Sequence, residues 1–229
     1  ANTTGFYNVA VGSRALANMN VTDSSSTFNT AVGYNAGNDI TTGISNTIIG
    51  GRAGDALTDA DFNVAVGMDA LTADTLGSKS TALGQGTLAA QNFTTATDAL
   101  NVAVGFQAGL SVTTGVRNTL IGALVGDALT TGNNNTALGF NALAADTLGD
   151  RAVAIGVDAL AAQNFTTTTD NYNIAIGFQA GAAVSTGVNN TFIGGLAGQD
   201  VTTGQFNVFV GTDAGEQVTV GSSNVAIGR

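Results

Sequence analysis

The sequence predicts an all-β fold, a parallel β-solenoid of about 12 coils, and three observations carry that reading. A five-residue phrase recurs thirteen times, as in Asn29-Thr-Ala-Val-Gly33, Asn46-Thr-Ile-Ile-Gly50, Asn63-Val-Ala-Val-Gly67, Asn118-Thr-Leu-Ile-Gly122 and Asn173-Ile-Ala-Ile-Gly177. Its closing glycines, from Gly12, Gly33, Gly50, Gly67 and Gly84 onward, mark a unit of 17, with one of 21 in every four. That series repeats, so the unit is nested in a 72-residue super-repeat. A fixed short period is the signature of a stack in which each unit contacts mainly its neighbours. The third observation is 32 glycines with no proline, which suits tight turns joined by backbone ladders, since proline would remove a ladder donor in each coil. The array is expected to run over 1–229 as one solenoid, with super-repeats at about 12–83, 84–155 and 156–227.

The strand comes first in each unit. One residue before the glycine is aliphatic throughout (Val32, Ile49, Ile121, Ile193), two before is apolar (Ala31, Ile48, Leu120, Phe192), and three before is Thr, Val or Ile. β-Branched residues in a short run read as a strand, and alternate residues face opposite sides. With both sides apolar, one fills the coil interior and the other needs a cover. At about 3.3 Å per residue, one unit gives a circumference of only ~56 Å, which allows a single interior. The uncovered side would form a stripe longer than soluble monomers expose, so a homotrimer is expected, with Ile48 and Leu120 on its contact face.

Four residues before the glycine stands Asn in eleven of thirteen copies, with Ser80 and Ala152 as exceptions. Stacked asparagines pair as a ladder, or Asn simply suits the turn into the strand. The glycines (Gly33, Gly50, Gly122 and Gly194 among them) require either a positive φ or an approach too close for a Cβ. After each glycine come two variable residues, then a small one, usually Ala, then either Gly or Leu. A second, shorter apolar position follows, as in Ile40-Thr-Thr-Gly43 and Leu129-Thr-Thr-Gly132. Where the corner residue is Leu71 or Leu143, the inward position becomes Asp74 or Asp146. That pair is read as local repacking, the alternative being a functional acidic pair.

Every fourth coil carries four extra residues, which are expected to bulge as loops. Asn20, Val21 and Asp23 mark the first, Asn92, Phe93 and Asp98 the second, and Asn164, Phe165 and Asp170 the third. Solenoid insertions often line a binding face. These nine residues are therefore the candidate binding positions, the alternative being spacers inherited by block duplication. Gln163 is expected to be exposed with its loop.

Composition excludes several functions. Charged residues are 10% of the chain, net charge is −10, and the 15 Asp and one Glu outnumber six basic residues. No basic patch exists for nucleic acid. With no histidine and no cysteine, the usual general base, thiolate nucleophile and zinc ligands are missing. Calcium-binding nonapeptides and phosphate loops are absent too. The chain is expected not to be an enzyme and to need no cofactor or metal. No stretch of about 20 apolar residues predicts direct membrane insertion of this segment. Both ends stop within a repeat without a cap, which points to a fragment of a longer fibre.

The Asn-x-Ala-Ile/Val-Gly-x-x-Ala core resembles the head repeat of YadA-like trimeric autotransporter adhesins. The fuller Asn29-Thr-Ala-Val-Gly-Tyr-Asn-Ala-Gly37 is similar to repeats of bacteriophage tail fibres. The resemblance covers the whole chain, although the usual adhesin unit is shorter than the one here. It implies a left-handed parallel β-roll, a homotrimer, and a structural and attachment role in an extracellular appendage. That appendage would be a virion tail fibre or a bacterial surface adhesin meeting a host cell-surface receptor or glycan, and the Gly-Tyr/Phe-x-Ala-Gly form favours the phage fibre. The alternatives are a purely structural spacer and an ice-binding solenoid, the latter suggested by the repeated Thr-Thr-Gly.

Overall fold

The computed structural model describes residues 5–22 and 25–229. Among them every element is a short strand, and there is no helix. The chain comprises two units, Ala1–Val116 and Arg117–Arg229, each a parallel β-solenoid built from the same repeat. In the first, β1 (Val9–Val11), β2 (Thr30–Val32), β3 (Thr47–Ile49), β4 (Val64–Val66), β6 (Thr81–Leu83) and β8 (Val102–Val104) pair in parallel in that order. There β5 (Gly77–Ser78) pairs with β7 (Thr97–Asp98) on the returning side. In the second, the ladder is β9 (Thr119–Ile121), β10 (Thr136–Leu138), β12 (Val153–Ile155), β14 (Ile174–Ile176), β15 (Thr191–Ile193), β16 (Val208–Val210) and β17 (Val225–Ile227). Its small sheet joins β11 (Gly149–Asp150) to β13 (Thr169–Asp170).

Pairing is strictly in register: Thr30 faces Thr47, Ala31 faces Ile48 and Val32 faces Ile49. Each repeat position therefore becomes a column. The middle residue of each strand fills the interior; Ala31, Ile48, Ala65, Leu120 and Phe192 are fully buried, and Phe192 stacks on Phe209 at 5.5 Å between ring centroids. Opposite them the returning side contributes Ile40, Leu57, Leu129 and Val201, also buried. This corrects the expected contact face: Ile48 and Leu120 are core residues, and the exposed side carries the residues flanking them.

The repeat glycines meet both requirements at once. Gly50 has φ +137°, and a Cβ there would lie 2.5 Å from the carbonyl oxygen of Gly67; Gly33 stands in the same relation to Gly50. Gly122 and Gly194 repeat the arrangement against Gly139 and Gly211. The asparagines form the amide ladder, with Asn46 Nδ2 donating to Asn29 Oδ1 and Asn207 Nδ2 to Asn190 Oδ1, each at 3.1 Å, and the same amides also take backbone groups. Asn29 Oδ1 accepts the backbone N–H of Asn46 at 2.9 Å, while Asn29 Nδ2 donates to the Gly43 carbonyl at 2.7 Å. Each amide thus ties its strand both to the next coil and to the returning side of the same coil, satisfying buried backbone groups.

Corner size follows interior volume. A Cβ on Gly54 would sit 2.7 Å from Leu57 Cδ1 and 3.1 Å from Ile48 Cδ1, so no larger residue fits there. Where the inward residue is Asp74 or Asp146, the corner becomes Leu71 or Leu143, fully buried. The repacking reading of those coils is correct as far as it goes.

Candidate functional site

The insertions, the buried carboxylates and the outward strand face are where chemistry could reside. The carboxylates are far from alone. Asp74 Oδ2 accepts from Gln91 Nε2 at 2.6 Å, and Asp74 Oδ1 accepts the backbone N–H groups of Gly77 at 3.0 Å and Phe93 at 3.2 Å. Gln91 also donates to Ser80 Oγ, and its Oε1 accepts from Asn101 Nδ2 at 2.9 Å. The second unit repeats this with Asp146, Gln163 and Asn173, the carboxylate accepting from Gln163 Nε2 at 2.6 Å and the glutamine oxygen from Asn173 at 2.8 Å. Burial pushes the Asp146 carboxyl above its usual range, against the hydrogen bonds from Gln163, Phe165 and Gly149 that favour the anion.

Sequence reading missed this network and misplaced Gln163, which is fully buried. A signal was present. The two units lacking the ladder asparagine, at Ser80 and Ala152, are the ones that carry Gln91 and Gln163 in the following turn. The glutamine oxygen takes the place of the missing asparagine oxygen as acceptor for the next coil. The cluster therefore anchors the coils from which the second and third insertions depart, and its inward, closed geometry offers no opening to a substrate.

The insertions are only partly loops. Phe93 and Phe165 are turned inward, with 6% and 5% of their surface exposed, and Val21 is likewise buried. A Cβ on Gly77 would touch the Phe93 ring at 2.7 Å, so that ring packs beneath β5. These three candidate binding residues are corrected to core residues, for the usual reason that a large apolar side chain loses free energy in water. Asn20, Asn92 and Asn164 are exposed, and Asn92 and Asn164 accept from Thr75 and Thr147. Asp23 lies outside the described residues. Asp98 and Asp170 are exposed but engaged: Asp98 pairs with Lys79, and Asp170 with Arg151. Arg151 also lies over the Tyr172 ring, 5.5 Å from its centroid, and Asp170 holds its guanidinium above the ordinary range. What the second and third insertions present freely is residues 94–96 and 166–168, five threonines and one alanine.

Part of the returning-side hydroxyls is occupied. Thr41, Thr58, Thr130 and Thr202 each donate to a carbonyl of the following coil. Among the described residues there is no cavity and no cluster of His, Cys, Asp or Glu able to hold a metal. No helix is long and apolar enough to cross a membrane.

The outward strand face of each unit carries exposed aliphatic side chains. Ile49, Ile121, Leu138, Ile176 and Ile193 are 36–45% exposed, a high value for aliphatic side chains standing side by side in a sheet. Exposed aromatics flank them, in the first unit Phe28 and Phe62 along one edge and Tyr34 and Phe106 along the other, and in the second Tyr172 and Phe206 along one and Phe140 and Phe178 along the other. No protein-family model matches the chain, and neither a curated protein nor a solved structure matches it.

Proposed function

We propose that the chain is a structural and attachment module of a fibrous surface appendage, a phage tail fibre or bacterial adhesin, working outside the cell as a parallel homotrimer. The observation that carries the reading is the aliphatic outward face of the strands, bordered by exposed aromatics and without a cover in the chain itself. Soluble monomers seldom leave contiguous apolar patches beyond a few hundred Å² exposed. Closed rotational assembly of parallel chains removes such a patch from water. Attachment to a host receptor or glycan then falls to the exposed threonine-rich tips at 94–96 and 166–168. An ice-binding role has less support, because one threonine of a Thr-Thr pair donates to the neighbouring coil and the other column is interrupted, Thr42 being followed by Asp59 and Leu76.

Two measurements test this. Light scattering should give about three times the 22.6 kDa chain mass, and a stable monomer at micromolar concentration would refute the assembly. Labelled protein should bind intact bacteria, and exchange of both tips for Gly-Ser should reduce binding. Unchanged binding would clear the tips of any role, and binding to no cell type would leave a spacer.

A further inference from the structure

Glycine is demanded at nearly every position where this repeat places it, which makes two glycines conspicuous. Gly51 and Gly195 have no positive φ, and a Cβ built on either meets nothing within 4 Å. Their immediate predecessors, Gly50 and Gly194, have both constraints. Nothing inside the chain therefore excludes a side chain at Gly51 or Gly195, and glycine there has the usual entropic cost without a local return.

Their surroundings supply the context. Gly51 stacks between Tyr34 and Met68, as shown by the hydrogen bonds from Arg52 N to Tyr34 O at 2.8 Å and from Asp69 N to Gly51 O at 3.1 Å. Tyr34 and Met68 are each more than half exposed. Gly195 follows Phe178 in the same column, with Leu196 N donating to Phe178 O at 2.8 Å. Each glycine is a notch in the aromatic edge that borders the outward apolar face. Across the strand, Phe28 and Tyr172 stand exposed in the left-handed region, at φ +50° and +49°. Such a conformation favours Asn or Gly over a bulky ring. The interval along the chain from Phe28 to Gly51 is the same as that from Tyr172 to Gly195.

We infer that Gly51 and Gly195 are seats for bulky side chains of a second copy of this chain, with Phe28 and Tyr172 as the matching knobs. The inference rests on the oligomeric reading above and specifies its register. A parallel neighbour at the same level presents Phe28 and Tyr172 one coil, ~4.8 Å, from the seats, within the reach of an aromatic side chain. Each unit carries one seat with its knob 23 residues earlier in the chain, and a copy of this chain presents bulk at that interval in both units. The area also suffices. A face seven residues wide at about 3.3 Å each, and six or seven strands tall at about 4.8 Å, covers roughly 550–650 Å² per unit. Counted over both partners, the face of each unit alone then buries about 1,100–1,300 Å², above the about 1,000 Å² that a specific interface needs.

The test is Gly51→Trp combined with Gly195→Trp, read by light scattering at micromolar concentration and by far-UV circular dichroism. The expected result is a native spectrum with the mass reduced to that of the single chain, while Thr42→Trp with Thr186→Trp, exposed on the returning side, leaves the oligomer intact. An intact oligomer in the double glycine variant overturns the inference and leaves the oligomeric reading standing. A monomeric wild type overturns both. Because the chain has no cysteine, a second readout is free of any folding effect of tryptophan. Gly195→Cys should react with a maleimide at least tenfold more slowly than Thr186→Cys, and equal rates overturn the seat.

Discussion

Gly50 and Gly51 are adjacent in sequence and opposite in constraint, and substituting alanine at each separates conformation from composition. At Gly50, an alanine would be held at φ +137°, a region nearly reserved for glycine, where strain costs about 1–3 kcal/mol. Its Cβ would lie 2.5 Å from the Gly67 carbonyl oxygen and 2.6 Å from the carbonyl carbon. Backbone cannot step aside as a flexible side chain does, so adjoining coils must separate locally, an overpacking cost of about 1–3 kcal/mol more. Gly50→Ala should therefore lose about 2–6 kcal/mol in all. At about 2–4 °C per kcal/mol for a chain of this size, the melting temperature should fall by roughly 4–24 °C. Gly51→Ala meets no atom and no dihedral restriction, and should be neutral or stabilising by about 0.4–1 kcal/mol through the unfolded chain. Thermal and urea melts followed by circular dichroism decide it. A difference between the two variants below about 1 kcal/mol would refute the close-approach account of the repeat glycine.

Other expectations follow from the same structure. Asp146→Ala strips an acceptor from Gln163, Gly149 and Phe165, and should cost about 3–5 kcal/mol in denaturant melts, against no more than about 0.5 kcal/mol for the exposed Thr167→Ala. Because burial raises the folded-state pKa of Asp146 above its unfolded value, the folded chain holds that proton more tightly. Its contribution to stability is then complete below the unfolded pKa and is lost as pH rises through the folded value. Wild type should accordingly gain on Asp146→Asn as pH falls from about 7 towards about 3.5, and a flat difference counts against this. Phe165→Ala should lose about 3 kcal/mol, whereas a binding-only residue would lose none. Finally, Ile121→Asp with Ile193→Asp should lower the assembly mass with the fold retained, while Ile48→Asp, which buries an unpaired charge, should unfold the chain.

The period, the strand and the glycine corner were legible because each arises from a local demand repeated thirteen times. The insertions were harder, since a loop is inferred from length and length is silent about direction. Phe93 and Phe165 stand in polar, threonine-rich stretches that read as surface, yet both rings are buried, that of Phe93 beneath β5. The Asp–Gln–Asn clusters escaped for a related reason. Asp74 and Gln91 are one full repeat apart, so they are neighbours only once the sequence is wound onto its own period. An acidic residue looked isolated along the chain when its partner sat directly in the next coil of the same column.

The side of the strand that faces inward was misassigned, and the reason is instructive. Alternation divides strand residues into two faces without saying which is the interior. The distinguishing signal is compensation of size. A Cβ on Gly126 would meet Leu120, one on Gly198 would meet Phe192, and one on Gly215 would meet Phe209, so a large residue at the strand centre is matched by glycine at the corner. Coils with Ala65, Ala82 or Ala154 at the strand centre carry Leu71, Leu88 or Leu160 at the corner instead. Where Ala31 or Ala175 goes with a glycine corner, other side chains take the space, Ile40 and Leu16 beside Gly37 and Phe192 and Leu160 beside Gly181. Two positions that trade volume in this way share one closed space, packed to the density of a protein interior. The residue just before the repeat glycine is Val, Ile or Leu in every coil and trades with nothing. Uniform aliphatic bulk without compensation marks the column that shares no closed space with the corner, and that column is the outward one.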